Sequence, residues 1–353
     1  MDPRAGAVIA SVQLWRGGST LDLVDVPVPR PAVGEVLVEV RLATVCGSDL
    51  HTVLGRRPSP APSVLGHEAV GTILELGDGP VRYGDGSPAE VGDRIVWGVT
   101  VPCGHCDRCL DGRTAKCRTL RKVGHEPFDG DWALSGCYAS HVLLPAGATL
   151  VRVPDEVPDE VAAPAACATA TVAAAVEQAG PMLGREVVVS GAGMLGLVAV
   201  AMAAEAGAAG IVVLDPDAGR RATAAAFGAT VTGDPRRTTL GEVDVAFELS
   251  GAADAVEQLA AALTIGGRLV LAGSVSPGRP VAVDPEQVVR RWATVTGVHN
   301  YEPRHLAQAV DFLARTSQLR PWGSLVADPV PLDDLRALLA ERVGGPVRTA
   351  VRP

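Results

Sequence analysis

Short runs in which apolar and polar residues alternate fill the first hundred positions: VIASVQLW from Val8, GEVLVEVRLATV from Gly34, VGTILELG from Val70 and DRIVWGV from Asp93. A period of two buries one face of a strand, and the Gly- and Pro-rich text between the runs, such as VPVPRPAVG, supplies turns. The pattern predicts an antiparallel, partly barrel-like β region, with GDGPVRYGDGSPAEVGD as an exposed loop between two of its strands.

Beyond about residue 160 the texture changes. Buried strand runs (EVVVSGA, GIVVLD, VDVAFELSG, GRLVLAG) alternate with Ala-rich helical segments (MLGLVAVAMAAEAG, GRRATAAAFGA, ADAVEQLAAALT), which predicts an α/β domain with a parallel sheet and helices on both faces. From about Trp322 β-like text returns around one helical piece. The expected layout is a β-rich domain over 1–160, a doubly wound domain over 161–315, and a return to the first over 316–353.

A chain of 353 residues fits two domains. With 47% hydrophobic and 20% charged residues it can bury a core, which excludes the disordered class. The net charge of -9 is spread out, and basic residues cluster no further than pairs such as Arg56-Arg57, so nucleic acid is not an expected partner. The opening MDPRAGAVIASVQLW has neither the length of a membrane span nor the basic start of a signal peptide, so no membrane partner and a cytoplasmic location are expected. Thiols stay reduced there, and seven cysteines then point to metal ligands or buried thiols rather than disulfides.

Residues 187–196, VVVSGAGMLG, place Gly191, Gly193 and Gly196 between a buried strand and a helix start, the context a G-x-G-x-x-G motif needs. Gly191 permits the tight turn, Gly193 lets the backbone approach a pyrophosphate, and Gly196 allows close helix packing, with Met194 and Leu195 completing the cofactor contacts. Asp215 ends the next strand. An acid there accepts hydrogen bonds from ribose hydroxyls and repels a 2′-phosphate, favouring NAD(H) over NADP(H), while Arg220 and Arg221 just beyond keep NADP(H) as the alternative.

Cys103, Cys106, Cys109 and Cys117 are spaced so that one loop can close tetrahedrally on a structural Zn²⁺, an iron–sulfur or redox role being the alternative. Cys46, Cys137 and Cys167 remain, and LGHE supplies His67 and Glu68. Two thiolates and an imidazole would leave a fourth position open on a catalytic Zn²⁺, but by spacing alone a core histidine and buried cysteines are the default reading.

The motifs CGSDLH and GHEAVG, the four-cysteine lobe, the glycine-plus-acid nucleotide motif, FELSG at 247–251 and the terminal GPVRTAVRP occur in a fixed order. Together they resemble the zinc-dependent medium-chain dehydrogenase/reductase family of alcohol and polyol dehydrogenases, over essentially the whole chain. The resemblance implies a GroES-like catalytic domain with a Rossmann domain, two zinc ions per chain, and Cys46, His67 and Cys167 as ligands of the catalytic one. It implies that Glu68 can approach the metal, that Asp49 holds the His67 imidazole, and that Arg348 contacts the cofactor pyrophosphate. Ser48 would bond the substrate oxygen and pass its proton through the ribose to His51.

The chain also departs from the family pattern. Cys137 and Ser140 stand where a glycine and an acid are common, and Val99 stands where simple-alcohol members carry a bulky aromatic, which implies a roomier pocket, with Trp97 two places earlier. Arg56, Arg57, Lys122 and His125 lie in loops that the resemblance puts near the cleft, so a polar or anionic substrate is expected, ordinary surface solvation being the other reading. GRRPSPAPSVLGHE, KVGHEPFDG and GVHNY look similar to a subgroup linked to phosphonate and cyclitol metabolism. The expected function is therefore hydride transfer between a nicotinamide cofactor and a polar alcohol or its ketone, by a homodimer or homotetramer. The alternative is a non-catalytic dinucleotide-binding sensor of the same fold holding only structural zinc.

Overall fold

A computed structural model describes residues 8–339 and 345–353, so MDPRAGA, part of the opening stretch read for a leader, lies outside it. The chain forms two compact units. One holds the described residues up to Cys167 with Glu302–Ser317 and the tail from Trp322; the other holds Ala168–Tyr301 with Gln318–Pro321. No helix among the described residues is long and apolar enough to cross a membrane.

The first unit is built on a mainly antiparallel seven-stranded sheet in the order Leu150–Arg152, Arg94–Trp97, Ala69–Leu76, Val36–Thr44, Ala350–Arg352, Val330–Pro331, with His141–Leu144 also pairing Val36–Thr44. Along Val36–Thr44 the alternation read from the sequence holds where Glu39 and Arg41 face out while Val38, Val40 and Leu42 face in. The core partners of Val38 and Val40 include Ile73, Ile95, Trp97, Val142 and Val351. Each such burial contributes about 1.5–3 kcal/mol.

Register brings distant residues together at one end of this sheet. Ala43 lies opposite Ala69 and Ala350 opposite Thr44. The Thr44 amide donates to Glu68 O at 2.9 Å and the Val45 amide to Thr349 O at 2.9 Å. Cys46, His67, Glu68 and Arg348 therefore meet although they are far apart in the chain.

The second unit carries a six-stranded sheet in the order Val231–Gly233, Gly210–Leu214, Glu186–Ser190, Val243–Glu248, Leu263–Leu271, Thr294–Gly297, with every neighbouring pair parallel. This is the 3-2-1-4-5-6 order of a dinucleotide-binding sheet, and its strand order reverses between Glu186–Ser190 and Val243–Glu248. Gly191 follows the strand at that switch point.

Candidate active site and metal centres

Cys46 precedes the helix Gly47–Val53, and its amide donates to the Asp49 carboxylate at 3.0 Å, which caps the helix start. The Asp49 carboxylate makes two further contacts. Oδ1 lies 3.4 Å from His67 Nδ1, and the hydroxyl of the fully buried Tyr138 donates at 2.8 Å to Oδ2, the oxygen that also accepts from the Cys46 amide. At 3.4 Å the His67 pair is an ion-pair contact rather than a short hydrogen bond, consistent with His67 Nδ1 having no hydrogen-bond partner among the described residues. Gly66 makes the neighbouring turn at φ +90°, where a side chain is disfavoured, and a Cβ there would lie 2.8 Å from the Tyr138 ring.

The sulfurs of Cys46 and Cys167 are 3.8 Å apart, and Ser48 Oγ lies 3.4 Å from His67 Nε2. The ligand atoms of Cys46, His67, Glu68 and Cys167 all lie within 4.8 Å of one another. Cys46 is the thiolate of the sulfur pair: the Cys167 thiol donates to it, and His67 and Arg348 add positive charge, which together outweigh burial. Burial presses the His67 imidazolium down, but Asp49 and the Cys46 thiolate hold it well above its usual range. Two sulfurs, an imidazole and a carboxylate this close together suit Zn²⁺.

Glu68 is fully buried and accepts from Thr44 Oγ1 at 2.6 Å. Arg348, expected at a cofactor pyrophosphate, is 8% exposed and donates to both Glu68 oxygens, at 3.0 and 3.2 Å. Burial raises the Glu68 pKa to about 6, with Arg348 pulling against it. Neither Thr44 nor the contact between Arg348 and Glu68 was legible in the sequence; Tyr138 was passed over because its hydroxyl finds Asp49 across 89 positions.

Asp49 thus ties the Cys46 amide, the His67 imidazole and the Tyr138 hydroxyl into one network. Asp49→Asn is expected to weaken zinc at this cluster by about 10–100-fold, the usual effect of removing a carboxylate behind a metal-bound histidine. Chelator competition measures it, with the four-cysteine lobe as the internal control.

His125 packs its ring against His67, with centroids 5.5 Å apart, and its Nδ1 lies 2.7 Å from Val123 O. Burial, with the positive charge of His67, holds its pKa down to about 4. Ser48 and His51 stand three residues apart on the helix Gly47–Val53, hence on one face. His51 Nδ1 is buried with no hydrogen-bond partner among the described residues. Cys137 is fully buried, its amide bonded to Gly66 O at 2.9 Å. Burial keeps its thiol protonated, as a core filler requires.

All seven cysteines are free. In the lobe the ligand atoms of Cys103, Cys106, Cys109 and Cys117 lie within 4.8 Å of one another. Backbone amides point at the sulfurs: the Cys103 and Thr119 amides donate to Cys117 Sγ at 3.3 and 3.4 Å. The His105 amide leads in lowering the Cys103 thiol to about 6. Glu302 fastens the lobe, accepting from the amides of Thr114 and Ala115 at 3.0 and 3.1 Å.

In the second unit Gly191 has φ +98°, and a Cβ on Gly196 would lie 1.8 Å from Gly191 O, so both positions require glycine. A Cβ on Gly193 would meet no protein atom within 4 Å. Gly193 precedes the helix Met194–Glu205, whose first amides, Met194 and Leu195 among them, form an anion-binding end; the Met194 side chain itself is buried. Asp215 accepts from the amides of Ala192 and Asp217, each at 2.8 Å, which fixes it under the glycine turn. Arg221 donates to the carbonyls of Asp215 and Pro216 at 2.6 and 3.0 Å, while the Arg220 amide caps on Asp217 at 2.9 Å and its side chain is exposed. Glu248 of FELSG is fully buried and accepts from the amides of Ser250 and Gly251 at 2.7 and 2.6 Å, shaping the loop beside Gly191.

Comparison with known proteins agrees with this geometry. The family models "Alcohol dehydrogenase GroES-like domain" and "Zinc-binding dehydrogenase" match residues 32–155 and 195–315. The 5-exo-hydroxycamphor dehydrogenase of Pseudomonas putida is 32% identical over 345 residues, covering 93% of this chain and 94% of the relative. An alcohol dehydrogenase structure from Thermotoga maritima superposes with a TM-score of 0.90 at 27% identity, covering 98% of this chain and all of that one. A Sinorhizobium meliloti structure of zinc-binding dehydrogenase type, bound to NADP, gives 0.87 at 26% identity, covering 98% of this chain and 100% of that one. The chain belongs to the zinc-binding medium-chain dehydrogenase/reductase family and is an oxidoreductase of the alcohol dehydrogenase type.

Proposed function

We propose that this dehydrogenase oxidises a small polar primary or secondary alcohol, or reduces the matching ketone, with NAD(H) as cofactor and two Zn²⁺ per chain. The observation that carries the reading is the clustering of Cys46, His67, Glu68 and Cys167 within 4.8 Å, with Ser48 Oγ 3.4 Å from His67. Cys46, His67 and Cys167 would hold the catalytic zinc, a Lewis acid toward oxygen, and nicotinamide would supply the hydride chemistry.

The chain's own residues do the rest. Ser48 takes the proton of the alcohol, and His51, one turn along the helix, hands it to solvent; its unpartnered buried Nδ1 suits a relay. Asp49 keeps the His67 ring oriented, and Arg348 keeps the Glu68 carboxylate in place beside Cys46. The lobe cysteines would hold the second zinc, whose role is structural because four thiolates fill its coordination.

The buried carboxylate of Asp215, fixed by two amides, supports NAD(H) over NADP(H), although one similar structure holds NADP. The kcat/KM for NAD is expected to exceed that for NADP by at least about tenfold, and Asp215→Gly to close the gap. Absorbance of the reduced cofactor with a common alcohol checks both. A native enzyme that uses the two equally would reject the assignment.

A further inference from the structure

Donors are shared unequally between the two oxygens of the Glu68 carboxylate. Oε2 accepts from the Thr44 hydroxyl at 2.6 Å and from Arg348 Nε at 3.0 Å, whereas among the described residues Oε1 accepts from Arg348 Nη2 alone, at 3.2 Å. A carboxylate oxygen offers two lone pairs, so Oε2 is fully engaged and Oε1 keeps one pair free. The 2.6 Å contact has the length of a charge-assisted O–H···O⁻ bond, the stronger kind. Thr44 and Glu68 are both fully buried, which removes bulk water as a competing donor.

The backbone fixes this pair. Thr44 closes the strand Val36–Thr44, its amide donates to the carbonyl of Glu68 itself at 2.9 Å, and Ala350, two residues after Arg348, lies opposite it. The two donors therefore reach Glu68 from neighbouring strands. Arg348 does not duplicate the hydroxyl: its contacts with the carboxylate are longer, and its Nη2 also faces Cys46 Sγ at 4.0 Å.

A carboxylate oxygen of Glu68 lies within 4.8 Å of the ligand atoms of Cys46, His67 and Cys167, close enough to compete with an alcohol for the fourth position those three would leave open on a zinc ion. A lone pair engaged by a hydroxyl is withheld from the ion. A buried carboxylate oxygen stripped of that donor is left with an unmet desolvation cost, which a metal ion offsets. We infer that Thr44 is a positioning residue: its hydroxyl holds Glu68 Oε2 back from the metal and so keeps the fourth position free for substrate. The inference rests on the zinc dehydrogenase reading above, since it concerns the same site.

The test exchanges Co²⁺ into the Cys46, His67 and Cys167 site, with zinc left in the four-cysteine lobe, and reads the visible absorption of the cobalt and the dissociation constant of imidazole, a ligand for the fourth position. In Thr44→Val, which keeps the shape of the side chain and removes the hydroxyl, the spectrum without imidazole is expected to shift and the imidazole constant to rise by about tenfold, as the carboxylate takes the position. Thr44→Ala removes the same hydroxyl with less bulk and is expected to agree. Thr44→Ser is expected to restore the native spectrum and constant. In a Glu68→Gln background, where the competing carboxylate is gone, Thr44→Val is expected to change neither. A hydroxyl with only a structural role would lower thermal stability and leave both readouts unmoved.

An unshifted spectrum with an unchanged imidazole constant in Thr44→Val and Thr44→Ala, a Thr44→Ser protein that behaves as Thr44→Val does, or an effect of the same size in the Glu68→Gln background overturns the inference and leaves the dehydrogenase reading standing. A native chain that takes metal at the four-cysteine lobe alone overturns both.

Discussion

Cys46→Ser and His67→Ala are each expected to lower turnover by about a thousandfold or more while leaving reduced-cofactor binding intact. The removed interaction is Lewis-acid stabilisation of negative charge on oxygen, which is worth several kcal/mol, and about 1.4 kcal/mol accounts for each factor of ten. Cys46 is the thiolate of the pair it forms with Cys167 at 3.8 Å. His67 would be the nitrogen donor to the metal, and its Nδ1 faces Asp49 at 3.4 Å. The dinucleotide turn at Gly191–Gly196 lies in the other unit, so fluorescence titration with NADH is expected to give an unchanged dissociation constant. Undiminished turnover in either variant would remove this cluster from the chemistry.

Cys106→Ser is expected to act through stability instead. From residue 102 to residue 120 the buried side chains are Cys109, Ala115 and Cys117, too little apolar surface to hold a loop of that length. Metal binding there is folding free energy, so loss of the lobe zinc should lower the thermal midpoint by about 5–10 °C. Scanning calorimetry with zinc analysis of the same sample measures it. Cys106 and Cys109 approach to 3.5 Å and Cys106 and Cys117 to 3.9 Å, so removing Cys106 opens the cage at its centre. A variant that lost this zinc with its midpoint unmoved would show the lobe held by its own contacts, Glu302 foremost.

What could be read from the sequence follows from range. The parallel sheet was legible because each strand and its helix are local patterns, and the strand order then follows from right-handed crossovers. The lobe was legible because its four cysteines lie within fifteen positions. The other cluster was not, because strand register assembles it: Thr44 beside Glu68, and Ala350 opposite Thr44. Only the family resemblance singled out Cys167 over Cys137, and the structure shows the physical difference, since Cys137 is fully buried with its amide on Gly66 O while Cys167 faces Cys46.

Polar partners were the least legible. Nothing in SGCYASH shows that the Tyr138 hydroxyl reaches Asp49, and nothing in GPVRTAVRP shows that Arg348 turns inward onto Glu68. The helix Pro303–Thr316 belongs with the first unit although its text continues the helical rhythm of the second; it buries His305, Leu306, Val310 and Leu313, and Glu302 before it anchors the lobe. Periodicity reports which face of an element is apolar and not which neighbour covers it.

Anomalous diffraction at the zinc edge, on crystals of the native protein and of Cys46→Ser, tests the central claim most directly. The expected result is two peaks per native chain, one among Cys46, His67 and Cys167 and one among Cys103, Cys106, Cys109 and Cys117, with only the second left in the variant. A zinc-loaded native chain with a peak at the lobe alone, or a variant that kept both peaks, would contradict it.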